Sequence, residues 1–294
     1  MLVIAECGST KTDWCIYNPK NGHVDLKKTM GINPYFSKEE DVLACLNTEL
    51  GVIDTIEISE VHFYGPGCSQ NEQKVKLQRW LQSFFIHADI EVETDLLASG
   101  RGAFLDESGI VCILGTGSNS GVYKNGQITK TFPSLGYLFG DEGSGAHIGR
   151  QLITDFLNDE LPPVVKDLFT QKYNIGYKEI LDNVYSGTYP NRYLASFTQF
   201  VIDNSNFAYC RTLVDYAFDL FFTKRLLRYS GLDTYTVRFV GSVAYSFSDI
   251  LVKVALRHDV RLDSEKDIIK TPLEGLIKYH FGDFESLSHH DIVG

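Results

Sequence analysis

The sequence predicts an α/β fold, a sheet covered on its faces by helices. In the first half, apolar runs of strand length alternate with segments of helical period. In the second half helical periods dominate, yet a strand-like run returns late. Three of the strands run directly into turns of small residues, which is where α/β folds place their chemistry.

The elements follow in order. "LVIA" is a first strand, and "WCIYN" returns as a second, with a hairpin connection over 18–22 and a third strand over 24–29. "SKEEDVLACLNTELGV" is a helix: Ser37 is its expected N-cap with Glu40 three residues on, and Val42, Leu43, Leu46 and Leu50 share one face. "VHFYGPG" is a strand ending in a Gly-Pro-Gly turn. "NEQKVKLQRWLQSFF" is a helix with Val75, Leu77, Trp80, Leu81 and Phe84 inward. "IEVETD" is a strand and "LLASGRGAF" the helix after it. "GIVCILGTGSNSGVY" is a strand, a glycine turn and a second strand. Beyond it, "GAHIGRQLITDFLND", "NRYLASFTQFVIDN" and "AYCRTLVDYAFDLFFTKRLLRYS" have helical period. "TVRFVGSVAYSF" is a strand, "TPLEGLIKYHF" a last helix with Pro near its first turn, and "GDFESLSHHDIVG" a frayed tail.

Composition narrows the function. A chain of 294 residues, 44% hydrophobic, has material for two packed domains. The change of pattern puts a boundary near residue 115. The formal charge is −11 and the basic doublets are confined to Lys27-Lys28 and Lys224-Arg225, which disfavours nucleic acid as a partner. No apolar stretch approaches the roughly 18–20 residues that span a bilayer. The first apolar run has no basic region before it and is interrupted by Glu6, unlike a signal peptide. A cytoplasmic protein without membrane contact is expected. The six cysteines are scattered and form no C-x-x-C pair, so neither a disulfide framework nor a zinc site is indicated.

The small-residue turns are the strongest signal. They are Glu6 to Asp13 ("ECGSTKTD"), Gly115 to Ser120 ("GTGSNS") and Gly241-Ser242-Val243. A polyphosphate needs backbone N–H groups aimed at it and no Cβ in the way, and Ser and Thr add hydroxyl donors. Strand ends need turns in any fold, so one such turn decides nothing; three of them, one flanked by acids, favour a nucleotide. The P-loop pattern, G-x-G-x-x-G, the protein-kinase set and G-x-S-x-G are all absent. Asp95 stands at a strand end before a helix, and Asp141 and Glu142 lie among Gly136, Gly140, Gly143 and Gly145.

Taken together, "ECGSTKTDW", "TDLLASGRGAF", "ILGTGSNSGVY", "GYLFGDEGSGAHIG" and "VGSVAYSF" resemble, in order and rough spacing, the BadF/BadG/BcrA/BcrD-type ATPases. Within that group the chain is most similar to N-acetylglucosamine kinases, relatives of other sugar kinases, actin and heat-shock chaperone ATPases. The resemblance covers about residues 2 to 281. It implies two RNase H-like domains with mixed sheets flanked by helices, and ATP in the cleft between them. The first would be 1–115 with 272–294 returning to it, the second 116–271.

By the same resemblance, Gly8, Ser9, Thr10, Lys11 and Thr12 form the first phosphate loop, with Glu6 near Mg²⁺ through water. Lys11 either neutralises phosphate charge or is a surface lysine. Gly115, Thr116 and Gly117 match the second phosphate loop. Gly241, Ser242 and Tyr245 match the adenosine turn. Asp95 matches the catalytic carboxylate, and Asn33, Gly136 and Asp141 match sugar-contacting positions. Many members begin with Asp and two or three glycines; here the acid is Glu6, and Cys7 and Ser9 flank a single Gly8. The implied activity is ATP-dependent phosphorylation of an amino sugar at its primary hydroxyl, N-acetylglucosamine first, with glucosamine and N-acetylmuramic acid as rivals and a homodimer as the expected assembly. Two other classes compete: an ATPase acting on a partner protein, which in this group carries a cysteine-held iron–sulfur cluster, and a non-catalytic sensor.

Overall fold

The computed structural model describes residues 1–282. The chain folds as two units. One comprises Met1–Glu107, Tyr123–Ile128 and the chain from Thr271 on; the other comprises Ser108–Val122 and Thr129–Lys270.

The first sheet holds β1 (Leu2–Cys7), β2 (Lys11–Asn18), β3 (His23–Met30), β4 (Glu60–Gly65) and β5 (Asp89–Thr94), in the order β3-β2-β1-β4-β5. β2 runs antiparallel to β1 and β3, whereas β1, β4 and β5 are parallel. Register pairs Glu6 with Tyr64 and Tyr64 with Glu93, so the C-terminal ends of the three parallel strands emerge at one edge. Alternate residues of β1 and β4, among them Val3, Ala5, Val61 and Phe63, turn inward against α1 (Glu39–Leu50) and α2 (Asn71–Phe84), which contribute Val42, Leu46, Leu77 and Leu81.

The second sheet holds β6 (Gly109–Leu114), β7 (Ser118–Lys124), β8 (Gln127–Thr131), β9 (Thr236–Val240) and β10 (Ile268–Ile269), ordered β10-β9-β6-β7-β8. Read from the other side this is the order of the first sheet, with β6 taking the place of β1. Both are mixed, helix-flanked, RNase H-like sheets. Between β8 and β9 the chain makes α4 (Gly136–Phe139), α5 (Gly145–Leu157), α6 (Pro163–Tyr173), α7 (Tyr177–Tyr185), α8 (Pro190–Ser196), α9 (Thr198–Asp203) and α10 (Ala208–Lys224). Their core is aromatic: Phe169, Phe200, Phe218, Phe221 and Phe222 pack with Ile148, Leu152 and Phe239.

α3 (Asp95–Phe104) and α13 (Leu273–Phe281) pack against each other in the first unit. Gly102 and Gly275 meet so closely that a Cβ on Gly275 would lie 1.8 Å from the Gly102 carbonyl oxygen. A polar network completes the joint. Arg101 donates to Tyr64 Oη at 2.6 Å, which leaves the phenol proton for His280 Nε2 at 2.7 Å, and the His280 ring stacks on His62 at 4.0 Å. Burial, His62 and Arg101 push the His280 pKa down to about 3, so it accepts that proton as a neutral imidazole.

Local expectations fail in four places. α1 is capped at Lys38 with no side-chain bond, because Ser37 Oγ is already taken by the Asn33 N–H. Val75 is 55% exposed, and Phe85, just past the end of α2, is buried in the core. "SVAYS" is not strand but a short helix, α11 (Ser242–Ser246), followed by α12 (Ser248–Arg257). The structure also adds β8, α4, α6, α7 and β10 to the expected elements. The expected frayed tail lies, from 283 on, outside the described residues. Among the described residues, no helix is long and apolar enough to cross a membrane.

Candidate active site

In the first unit, polar residues gather at the edge where β1, β4 and β5 end. The turn between β1 and β2 is closed by Gly8 N–H donating to the Lys11 carbonyl at 2.9 Å. Gly31 N–H donates to the Thr10 carbonyl, also at 2.9 Å. A Cβ on Gly31 would lie 2.5 Å from the Ser9 carbonyl oxygen and 2.7 Å from that of Gly8, so only glycine lets β3 exit against this turn. Thr12 is fully buried, and its hydroxyl donates to the Met30 carbonyl at 2.9 Å. Thr12 therefore braces the turn from beneath. Ser9 and Thr10 lie on the accessible side, and among the described residues their N–H groups have no acceptor.

Three carboxylates belong to this edge. Glu6 and Asp13 pair across β1 and β2. Asp95 begins α3, one residue past Thr94, whose hydroxyl caps the helix by accepting the Leu97 N–H at 3.1 Å. Burial first, then the charges of Asp13 and Asp95, push the Glu6 carboxyl up to about 7, and Lys11 opposes them only in part. Lys11, its side chain 57% exposed, is spent on Asp13 at 2.7 Å. Asn33 follows Gly31: its Oδ1 accepts the Tyr35 N–H at 3.0 Å, which leaves the side-chain NH₂ as the group to meet a ligand.

In the second unit the turn after β6 has a defined polarity. The carbonyls of Gly115 and Thr116 accept the first N–H groups of α5, from Gly145 at 2.8 Å and Ala146 at 3.0 Å. In a trans peptide the C=O and the following N–H point opposite ways. The N–H groups of Thr116 and Gly117 are thus directed away from α5, forming a pair of aligned donors. Beside them, β9 runs into Gly241, whose φ is +128° and where a Cβ would lie 2.4 Å from the Leu114 carbonyl oxygen. Ser242 opens α11 at the surface and Tyr245 is 49% exposed.

Asp141 joins this second set. It is buried, sits in the left-handed region at φ +57°, and accepts the Ser118 N–H at 3.2 Å. Burial raises its pKa, opposed by that bond and by Arg225. Ser144 caps α5 by accepting the His147 N–H at 3.1 Å, and His147 Nδ1 accepts the Gly143 N–H at 3.2 Å. Burial and Arg150 push the His147 pKa down to about 4, leaving it a neutral acceptor. Gly136, at φ +68°, begins α4 in the same segment.

A solved structure from Porphyromonas gingivalis, described as a "putative N-acetylglucosamine kinase", is 36% identical to this chain. The match covers 95% of this chain and 98% of that one, with a TM-score of 0.87. The chain belongs to that sugar-kinase family. A Chromobacterium violaceum protein described in the same words is 18% identical, with coverages of 95% and 98% and a TM-score of 0.67. A ROK-family glucokinase from Streptomyces griseus, solved with glucose and AMPPNP, is 11% identical, with coverages of 95% and 97% and a TM-score of 0.51. These two share the fold. No protein-family model and no curated protein matches the chain.

For this family member, the expected residues fall into two groups, one in each unit. Glu6, the 8–12 turn, Asn33 and Asp95 share the first sheet's edge; Gly115–Gly117, Gly136, Asp141, Gly241, Ser242 and Tyr245 share the second unit. Sequence reasoning missed Gly31 and Arg225; it included Ser118 in the Gly115–Ser120 turn but not its bond to Asp141. Gly31 has a readable signal, a glycine directly after a strand. Arg225 has none, since its partners are distant in sequence.

Proposed function

We propose that this protein transfers the γ-phosphoryl group of ATP to an amino sugar, N-acetylglucosamine first, at its primary C6 hydroxyl. The observation that carries the proposal is the 36% identity to the Porphyromonas kinase over 95% of the chain. The geometry supports it. The N–H groups of Ser9 and Thr10 suit the β- and γ-phosphates, and the Thr116 and Gly117 pair suits a second phosphate contact. Gly241, Ser242 and Tyr245 would border the adenosine. Asn33, Gly136 and Asp141 would hold the sugar. The motif set extends the proposal to membership of the BadF-type ATPases, with a cytoplasmic homodimer as the working form.

Phosphoryl transfer asks the protein mainly for alignment and charge neutralisation. Asp95 is proposed as the general base: it takes the proton of the attacking hydroxyl as that oxygen closes on phosphorus. At the first turn of α3 its carboxylate is oriented by Oδ1 accepting the Leu96 N–H at 2.8 Å. Glu6, Asp13 and Asp95 set three carboxylates against the single Lys11, and the Glu6 carboxyl is raised first by burial and then by the charges of Asp13 and Asp95. That surplus fits Mg²⁺, with Glu6 as its holder through water; bound there, the ion would neutralise phosphate charge. A sugar position between Asn33 and Asp95 would also exclude water, limiting idle hydrolysis.

The test is turnover of Mg²⁺-ATP against N-acetylglucosamine, glucosamine, N-acetylmuramic acid, N-acetylmannosamine and glucose, measuring ADP and sugar phosphate. Sugar-dependent ADP is expected, with kcat lowered about 10²–10⁴-fold in Asp95→Asn. ADP release independent of any sugar would refute the proposal and favour an ATPase acting on a partner.

A further inference from the structure

Arg225 closes α10 and is only 7% exposed. A buried guanidinium is costly unless its donors are used. Here Nε donates to Glu142 at 3.3 Å and Nη1 to the Pro133 carbonyl at 2.9 Å. One side chain thus fastens both ends of the segment 133–142, which contains α4 and Asp141. Arg150 pins its middle, donating to the Tyr137 carbonyl at 2.9 Å. Leu135, Leu138 and Phe139 are exposed, so these arginines, not hydrophobic packing, set the segment's course. Nη2 is buried with no acceptor and lies where a Cβ on Gly140 would come within 2.7 Å of it. Ser118 Oγ, on the residue whose N–H holds Asp141, is likewise buried without a partner. Two unused polar atoms flanking one carboxylate mark a site built for more bonds than the protein itself supplies.

We propose that Arg225 is a positioning residue for sugar recognition, fixing the Gly136–Asp141 segment so that Gly136 and Asp141 meet the sugar. The inference rests on the sugar-kinase function proposed above. Arg225 acts through geometry and through charge. Asp141 is faced by Arg225 and Arg150, which favour its ionised form, by Glu142, which opposes it, and by the Ser118 N–H; neutral His147 adds no charge. Removing the Arg225 charge raises the Asp141 pKa further, so the acid limb of sugar kcat/KM moves to higher pH.

The experiment compares Arg225→Met and Arg225→Lys with wild type in the full chain, measuring kcat and both KM values across pH with N-acetylglucosamine and Mg²⁺-ATP. In Arg225→Met the sugar KM is expected to rise about tenfold or more, with the ATP KM within about twofold, and the acid limb to shift upward. Arg225→Lys keeps the charge but not the planar fork, so it loses sugar affinity while its acid limb stays near wild type. General loosening of the fold would not separate those two effects. An unchanged sugar KM in Arg225→Lys, or equal rises in both KM values, overturns the inference even if Arg225→Met fails to fold. Wild-type protein without sugar-dependent ADP release overturns the proposed function and this inference together; active wild type with indistinguishable variants overturns the inference alone.

Discussion

Glu6→Gln should make the ligand-free protein more stable while destroying its activity. In the folded chain the Glu6 carboxyl titrates near 7 against an ordinary 4.5. The fold therefore keeps a proton that the unfolded chain gives up, and in that window stability falls as pH rises. The penalty is absent below 4.5, grows through the interval and is complete above about 7. At 1.36 kcal/mol per pH unit, a difference of about 2.5 units corresponds to about 3 kcal/mol. Gln imitates the neutral acid and escapes the penalty. Denaturant unfolding of both proteins at roughly pH 4.5 and pH 8 isolates the effect, because groups distant from Glu6 contribute equally in the two. The variant should match wild type at the lower pH and exceed it by up to about 3 kcal/mol at the higher, a gain on the order of 5–10 °C in Tm. Phosphoryl transfer should be lost at both. A gap independent of pH, or wild type the more stable at pH 8, would refute the claim that Glu6 is strained by burial beside Asp13 and Asp95.

Two further substitutions test close backbone approaches. Gly31→Ala puts a methyl 2.5 Å from the Ser9 carbonyl oxygen, against backbone that has little room to move. It should raise the ATP KM about tenfold or more and cost roughly 1–3 kcal/mol of stability; an unchanged ATP KM would remove the 8–10 turn from nucleotide binding. Gly275→Ala drives a methyl to 1.8 Å from the Gly102 carbonyl oxygen and must lift α13 off α3. A loss of about 3 kcal/mol or more, seen as a Tm lower by roughly 5–10 °C, is expected, and an unchanged Tm would refute the helix crossing.

The alternation of strands and helices in the first half was legible because each element carries its own period: Val3 and Ala5 alternate inward along β1, and Leu77 and Leu81 recur along α2. Where tertiary context chose between options, the pattern misled. Val75 has the right spacing for the core yet is 55% exposed, while Phe85, just past the helix end, is buried. "SVAYS" continues the apolar run of β9, yet Gly241 turns the chain at φ +128° and a helix begins. The candidate residues were legible as types, Gly, Ser, Thr and Asp at strand ends. Their division of labour was not: that Thr12 braces rather than faces a ligand depends on Met30, eighteen residues later. Arg225 was invisible because its partners, Pro133 and Glu142, lie more than eighty residues upstream.

The two sheets explain why small-residue turns recur without a visible repeat in the sequence. Both have the same strand order, so β1 corresponds to β6, β4 to β9 and β5 to β10. The central strand of each ends in a turn with N–H groups that find no acceptor among the described residues, at Ser9-Thr10 in one and Thr116-Gly117 in the other. The neighbouring strand of each runs to a glycine at close range: a Cβ on Gly65 would lie 3.2 Å from that of Cys7, and one on Gly241 would lie 2.4 Å from the Leu114 carbonyl oxygen. What is kept between the halves is backbone geometry, and geometry constrains only a few positions to glycine, too few for sequence identity to register. The halves part at the third strand. β5 delivers Asp95, beside Glu6, while β10 ends at Ile269 and the chain leads on into α13. One copy of the sheet thus retains the carboxylates suited to reaction chemistry, and the other retains the donor turns and Asp141, suited to holding ligands in place.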